Sequence, residues 1–112
     1  MAKALYWVGW SREDLRDFPE DARREAGHQL HLVQLGLYPD DYRPMPSVGS
    51  GVIEIRIHGQ TEHRIFYVAR FAGAVFVLHA FEKKTQRTAQ KNIELGQERL
   101  KEVKQWLRDR KR

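Results

Sequence analysis

Apolar residues in this chain follow helical spacing up to Gly36, alternate with polar ones from Gly51, and return to helical spacing after Ala89. The densest apolar stretch lies between the last two regimes, at Ala74 to Thr85 (A-V-F-V-L-H-A-F-E-K-K-T). Val75, Val77 and Phe81 fall on one alternation face, and Phe76, Leu78 and Ala80 on the other. A strand apolar on both faces is one covered on both sides, and its β-branched and aromatic composition favours strand over buried helix. It runs into Glu82-Lys83-Lys84-Thr85, so a buried element delivers cations to a surface.

The flanking elements follow from the same reasoning. Ala4 to Gly9 suits a short first strand. Ser11 is the expected cap of a helix that has Asp14 in its first turn and must stop before Pro19. Pro19-Glu20-Asp21 opens a second helix, with proline in its first turn and acids near the positive end of the dipole. Ala22, Ala26, Leu30 and Val33 share its apolar face, and it ends near Gly36. Leu37 to Ser50, with three prolines, reads as a loop carrying one short edge strand near Met45 to Val48. Val52 to His58 alternates cleanly: the isoleucines take one face, and Glu54, Arg56 and His58 the other, as in a half-buried strand. Gly59 to Glu62 turns into a strand over His63 to Phe71, and Ala72-Gly73 turns tightly into the central one, giving an antiparallel meander of three or four strands. A final helix of about 22 residues starts at Thr88 or a neighbour, with Ala89, Ile93, Gly96, Leu100, Val103 and Leu107 along one stripe. Leu95 and Trp106 fall outside that stripe and imply a second apolar contact, within the chain or with a partner. Arg108 to Arg112 reads as a frayed basic tail. The predicted class is α+β, one domain over residues 1–112.

Composition narrows the function. A chain of 112 residues can bury about two-thirds of its unfolded surface, enough for one core. It has no cysteine, which excludes disulfides and thiolate metal sites and fits a cytoplasmic protein. No stretch has the length of a membrane span, and no secretory signal pattern opens the chain. The net charge of +5 is uneven: residues 1–50 hold 6 Lys/Arg against 8 Asp/Glu, and residues 51–112 hold 14 against 7. A basic C-terminal half suggests a polyanionic partner.

Three segments then carry a resemblance. Ile53-Glu54-Ile55-Arg56, His63-Arg64-Ile65-Phe66-Tyr67 and Val77 to Thr88 occur in that order. They are followed by an amphipathic helix holding Ile93-Glu94-Leu95-Gly96 and Arg99-Leu100. In this the chain resembles the RelE/ParE toxin superfamily, most of all the HigB-like, phage-derived branch of type II toxin–antitoxin systems. Family members often have proline after the threonine that opens the last helix, where this chain has Ala89. The resemblance implies a RelE-like fold and a cytoplasmic toxin neutralised by a cognate antitoxin protein. It implies cleavage of mRNA, often on the ribosome, without metal or other cofactor. Some members of the superfamily act on DNA gyrase instead, and a basic RNA-binding module without catalysis is a third reading.

Metal-independent RNA cleavage needs a base for the ribose 2′-hydroxyl, cations for the phosphorane and an acid for the 5′-oxygen. Arg56 is a candidate phosphate clamp, with an ion pair to Glu54 or Glu62 as its structural alternative. Arg64, on the neighbouring strand, is a second, because two close arginines repel unless an anion lies between them. Lys83 or Lys84 is the candidate base, its pKa lowered by nearby arginines, against an ordinary solvated lysine pair. Their side chains point to opposite faces, and Lys83 shares its face with His79 and Phe81. His79 is an acid or base candidate, or a core histidine. Tyr67 and Phe81 are candidate base-stacking residues, and Glu54 is either an RNA-facing base or the partner of Arg56. His28 and His31, three apart on a helix, read as surface residues without further metal ligands beside them.

Overall fold

The chain is organised by a five-stranded sheet of order β1-β5-β4-β3-β2, covered by helices on both faces; the computed structural model describes residues 2–111. Its elements are β1 (Ala4–Trp7), α1 (Ser11–Arg16), α2 (Glu20–Gln34), β2 (Tyr42–Pro44), β3 (Val52–Ile57), β4 (Glu62–Val68), β5 (Ala74–Lys83) and α3 (Gln90–Arg110). Strands β2 to β5 form an antiparallel meander, and β1 adds to β5 in parallel, Trp7 opposite Val77. The α+β class holds, with one parallel edge pair making the sheet mixed. No helix among the described residues is long and apolar enough to cross a membrane.

Alternation sorts the strands onto two cores. Ile55, Ile57, Ile65, Tyr67, Val75 and Val77 pack under α1 and α2 against Leu15, Phe18, Ala26, Leu30 and Val33. Val52, Phe66, Val68, Phe76, Leu78 and Phe81 pack under α3 against Leu100 and Val103. Gly96 allows the close approach of α3, since a Cβ there would meet Val48 Cγ1 at 2.9 Å and Phe66 Cδ2 at 3.0 Å. Trp106, outside the apolar stripe, finds its second contact within the chain, 5.8 Å from the Tyr6 ring and 5.9 Å from that of Phe76.

Several sequence expectations need correction. The faces of the central strand do not run through it unbroken. Phe66 pairs with His79 but Tyr67 with Val77, so Leu78 is an extra residue, a β-bulge. Beyond it the faces exchange: Phe81 joins Phe76 and Leu78 under α3, while Ala80 joins Val75 and Val77 under α1 and α2. The buried Arg99 side chain donates to the Leu78 carbonyl through Nη1 at 2.9 Å, occupying an acceptor at the irregularity. Ser11 does not cap α1 but begins it, and its hydroxyl donates to the Val77 carbonyl at 3.0 Å, tying the helix to β5. The edge strand is Tyr42–Pro44, while Met45 to Val48 form a turn closed by the bond from Val48 N–H to Met45 C=O. Val52–Ile57 is not half-buried, since Glu54 on its polar face is fully buried. The basic C-terminal residues Arg108 to Arg110 belong to α3, Lys111 caps it, and Arg112 lies outside the described residues.

The hairpin turn into β5 places both Ala72 (φ 53°) and Gly73 (φ 62°) in the left-handed region, closed by the Ala74 N–H to Phe71 C=O bond. Such turns favour asparagine or glycine at both central positions. Ala72→Asn is expected to raise the unfolding free energy by about 0.5–1 kcal/mol, and Ala72→Val to lower it by a similar amount. Urea midpoints check both, and a neutral Ala72→Val would show that the turn is free to rearrange.

Candidate nucleic-acid interface and catalytic site

The open end of the α3 face, where β3, β4 and β5 meet the start of α3, collects most of the candidate residues. Glu54, Arg56, Glu62, Arg64 and Phe66 alternate onto this face from β3 and β4. The bulge brings His79, Phe81 and Lys83 onto it from β5. Arg56 lies directly opposite Arg64, Arg64 opposite Phe81, and Glu62 opposite Lys83. Arg56, Arg64, Phe81 and Lys83 therefore form one cationic and aromatic patch.

Beneath it lies Glu54, whose carboxylate is out of contact with solvent. Its Oε1 is 3.1 Å from Arg43 Nε and 3.7 Å from Arg64 Nε, and its Oε2 accepts from the Thr88 hydroxyl at 3.4 Å. An anion does lie between cations here, and it comes from the protein. Glu54 is thus a paired structural carboxylate, but its partners are Arg43 and Arg64, and Arg56 pairs with neither Glu54 nor Glu62. Arg64 also donates through Nη1 to Glu62 at 3.1 Å and to the His63 carbonyl at 3.0 Å. Its side chain is 3% exposed against 35% for Arg56, so Arg64 acts from below and Arg56 at the surface. Among the described residues the nearest carboxylate to Arg56 is Asp41, 4.0 Å from Nη1, and the buried Nε of Arg56 has no acceptor.

Lys83 and Lys84 line an open groove of about 420 Å³ together with Phe81, Thr85 and Asn92. Lys83 is half-buried and Lys84 exposed. Burial, and then the Arg64 guanidinium, hold the Lys83 ammonium below its usual pKa. A second cleft of about 380 Å³, between Tyr6, Phe76 and Trp106 at the far end of α3, has Glu102 as its one charged lining residue among the described residues.

Two candidates do not join the surface patch. Tyr67 lies on the opposite face, buried in the core under α1 and α2. Burial pushes its phenol well above the ordinary range. His79 is on the right face but 5% exposed, stacked 4.9 Å from Phe81, with Nε2 bonded to Asn92 Oδ1 at 2.8 Å. Burial lowers its pKa against the opposing effect of Asn92, so its imidazole is a neutral core group. Phe81 is itself 9% exposed and meets Phe66 edge-on at 5.2 Å, which leaves only its rim to the patch. His28 and His31 are exposed on α2.

Sequence reasoning missed Arg43, Asp41 and Asn92. Arg43 reaches Glu54 because β2 pairs with β3 as Arg43↔Glu54, and a three-residue strand inside a proline-rich loop leaves no periodic signal. Asn92 lies in the first turn of α3, off the apolar stripe that marks the helix.

No curated protein matches the sequence significantly. A family model described as "Phage derived protein Gp49-like (DUF891)" matches residues 13–101, well over half of the chain. That span runs from α1 into the middle of α3 and includes the whole cationic patch. The chain belongs to this Gp49-like phage-derived family, which is part of the RelE/HigB-type toxin superfamily and is associated with RelE-type toxins of toxin–antitoxin systems.

Proposed function

We propose that the protein is a HigB-like toxin, a metal-independent endoribonuclease that cleaves mRNA on the ribosome in the cytoplasm and is held inactive by a cognate antitoxin protein. The observation that carries this reading is the convergence of Arg56, Arg64 and Lys83 on one open sheet face, beside a groove about 420 Å³ in volume. Arg56 binds the scissile phosphate, because its guanidinium is surface-accessible and only loosely held by Asp41. Arg64 contributes from beneath: it holds Glu54 and Glu62 in place and adds positive potential under Lys83.

In this reaction neutral Lys83 takes the proton of the ribose 2′-hydroxyl. The 2′-oxygen bonds to phosphorus, the bond from phosphorus to the 5′-oxygen breaks, and a 2′,3′-cyclic phosphate forms. The 5′-oxygen leaves with a proton from Lys84, which lines the same groove. The exposed rim of Phe81 contacts a base. His79 and Glu54 support the site as core groups, and Tyr67 takes no part.

The test is expression of wild type and Arg56→Ala followed by mapping of 5′ ends in cellular mRNA. Wild type is expected to create new ends within codons. Loss of the arginine is expected to lower the cleavage rate by about 10²–10³-fold, the size of one lost oxyanion-stabilising contact. DNA breaks with intact mRNA would assign the chain to gyrase poisoning, and RNA binding without new ends to a non-catalytic module.

A further inference from the structure

His58, at the end of β3, bridges two carboxylates. Its Nδ1 is 2.7 Å from Glu62 Oε1, and its Nε2 is bonded to Asp41 Oδ2. Ionised carboxylates only accept hydrogen bonds, so both contacts require a ring with both nitrogens protonated. Each of these carboxylates also faces an arginine of the patch. Asp41 Oδ1 is 4.0 Å from Arg56 Nη1, and Glu62 Oε1 is 3.1 Å from Arg64 Nη1. Asp41 and Glu62 therefore stand between one imidazolium and the two guanidinium groups.

We infer that His58 is a positioning residue that governs anion capture by Arg56: its imidazolium, anchored by Glu62, draws Asp41 to itself and keeps that carboxylate from closing on Arg56. This rests on the phosphate-binding role given above to Arg56, and adds a control on it. When His58 loses its proton, one hydrogen bond and one positive charge disappear together. The released carboxylate turns to the guanidinium groups and competes with phosphate there.

The charged groups facing His58 are Asp41 from the segment before β2 and Glu62 from β4, and these carboxylates in turn face Arg56 of β3 and Arg64 of β4. Lys83 of β5 stands opposite Glu62. The bond to Asp41, reinforced by Glu62, raises the pKa of His58 above its ordinary value despite partial burial. The bond from His58 in turn lowers that of Asp41. The sign follows. The clasp is closed below the raised pKa of His58 and opens as pH rises through it, so anion affinity falls with rising pH.

The full chain, labelled with ¹⁵N, is titrated with sulfate while the Arg56 Nε–Hε signal is followed from about pH 6 to about pH 8.5, a window that brackets an ordinary histidine. Sulfate is the probe because it does not titrate there. Wild-type affinity is expected to fall about three- to tenfold across the window, the effect of one charge at this range near a protein surface. His58→Gln is expected to bind weakly at every pH, with no slope. Asp41→Asn/Glu62→Gln is expected to bind more tightly than wild type and without slope. A wild-type slope retained in His58→Gln, or sulfate that never perturbs Arg56, overturns the inference. Cleavage of mRNA is read separately: a chain with the clasp but no activity would sink the nuclease reading and leave this one standing.

Discussion

Glu54→Ala is expected to lower the unfolding free energy by about 3–5 kcal/mol, because it strips a buried arginine of its counter-charge. Glu54 has no solvent contact, and Arg64, 3.7 Å away, is 3% exposed. Removing the carboxylate leaves a guanidinium that water cannot reach, with Glu62 as its remaining anionic partner. The methylenes lost from a packed site add to that cost. Urea unfolding gives the measurement. Two controls separate charge from packing. Glu54→Gln keeps the volume and one acceptor and is expected to lose less. Glu54→Met/Arg64→Met removes both charges and is expected to recover most of the loss, since a buried pair is often replaceable by apolar groups of similar size. A loss under about 1 kcal/mol in Glu54→Ala, the size of an exposed ion pair, would mean that the pair is solvated.

The largest effect on activity is expected at Lys83. Lys83→Ala should slow single-turnover RNA cleavage by about 10²–10⁴-fold, the usual contribution of a positioned general base. Its unfolding midpoint should stay near that of wild type, because Lys83 is half-buried at a strand end and has no ion-pair partner among the described residues. Lys84→Ala should lose less, since the 5′-oxygen can take a proton from water. The pH profile makes the assignment specific. A lysine acts as a base only when neutral, so the rate rises with pH up to the Lys83 pKa. Burial and Arg64 set that limit below an ordinary lysine's. Arg64→Met removes the second cause and should move the rising limb to higher pH. Retention of the wild-type rate within about threefold in Lys83→Ala, far short of a general-base effect, would remove Lys83 from the mechanism.

Strands β3 to β5 and both long helices were legible because each carries a period that local sterics and burial impose. Ile53, Ile55 and Ile57 mark β3 without knowledge of what they touch, and Ile93, Gly96, Leu100 and Val103 mark the buried edge of α3. The site was legible as far as alternation reaches: Arg56 shares the face of Glu54, and Lys83 that of His79 and Phe81, as counting by twos within each unbroken run assigns them. What failed was set by non-local pairing. The extra residue at Leu78 has no signature in A-V-F-V-L-H-A-F, yet it decides which side Phe81 and Lys83 take relative to Val75 and Val77. The buried state of Glu54 depends on Arg43, which arrives from a separate strand. Tyr67 reads as a stacking candidate only while the helices that cover its face are out of sight.

Strand β1 pairs with β5, Ala4 against Ala74, and Val8 N–H donates to the Val77 carbonyl. During synthesis, β1 must wait until β5, 70 residues further along the chain, has left the ribosome before it can be seated. Hairpins between β3, β4 and β5 need no such delay, because their closing loops are short. The cationic patch can thus take shape on a nascent chain whose strand β1 is still unattached. An inhibitor that recognised the meander alone could engage this protein before its translation ended.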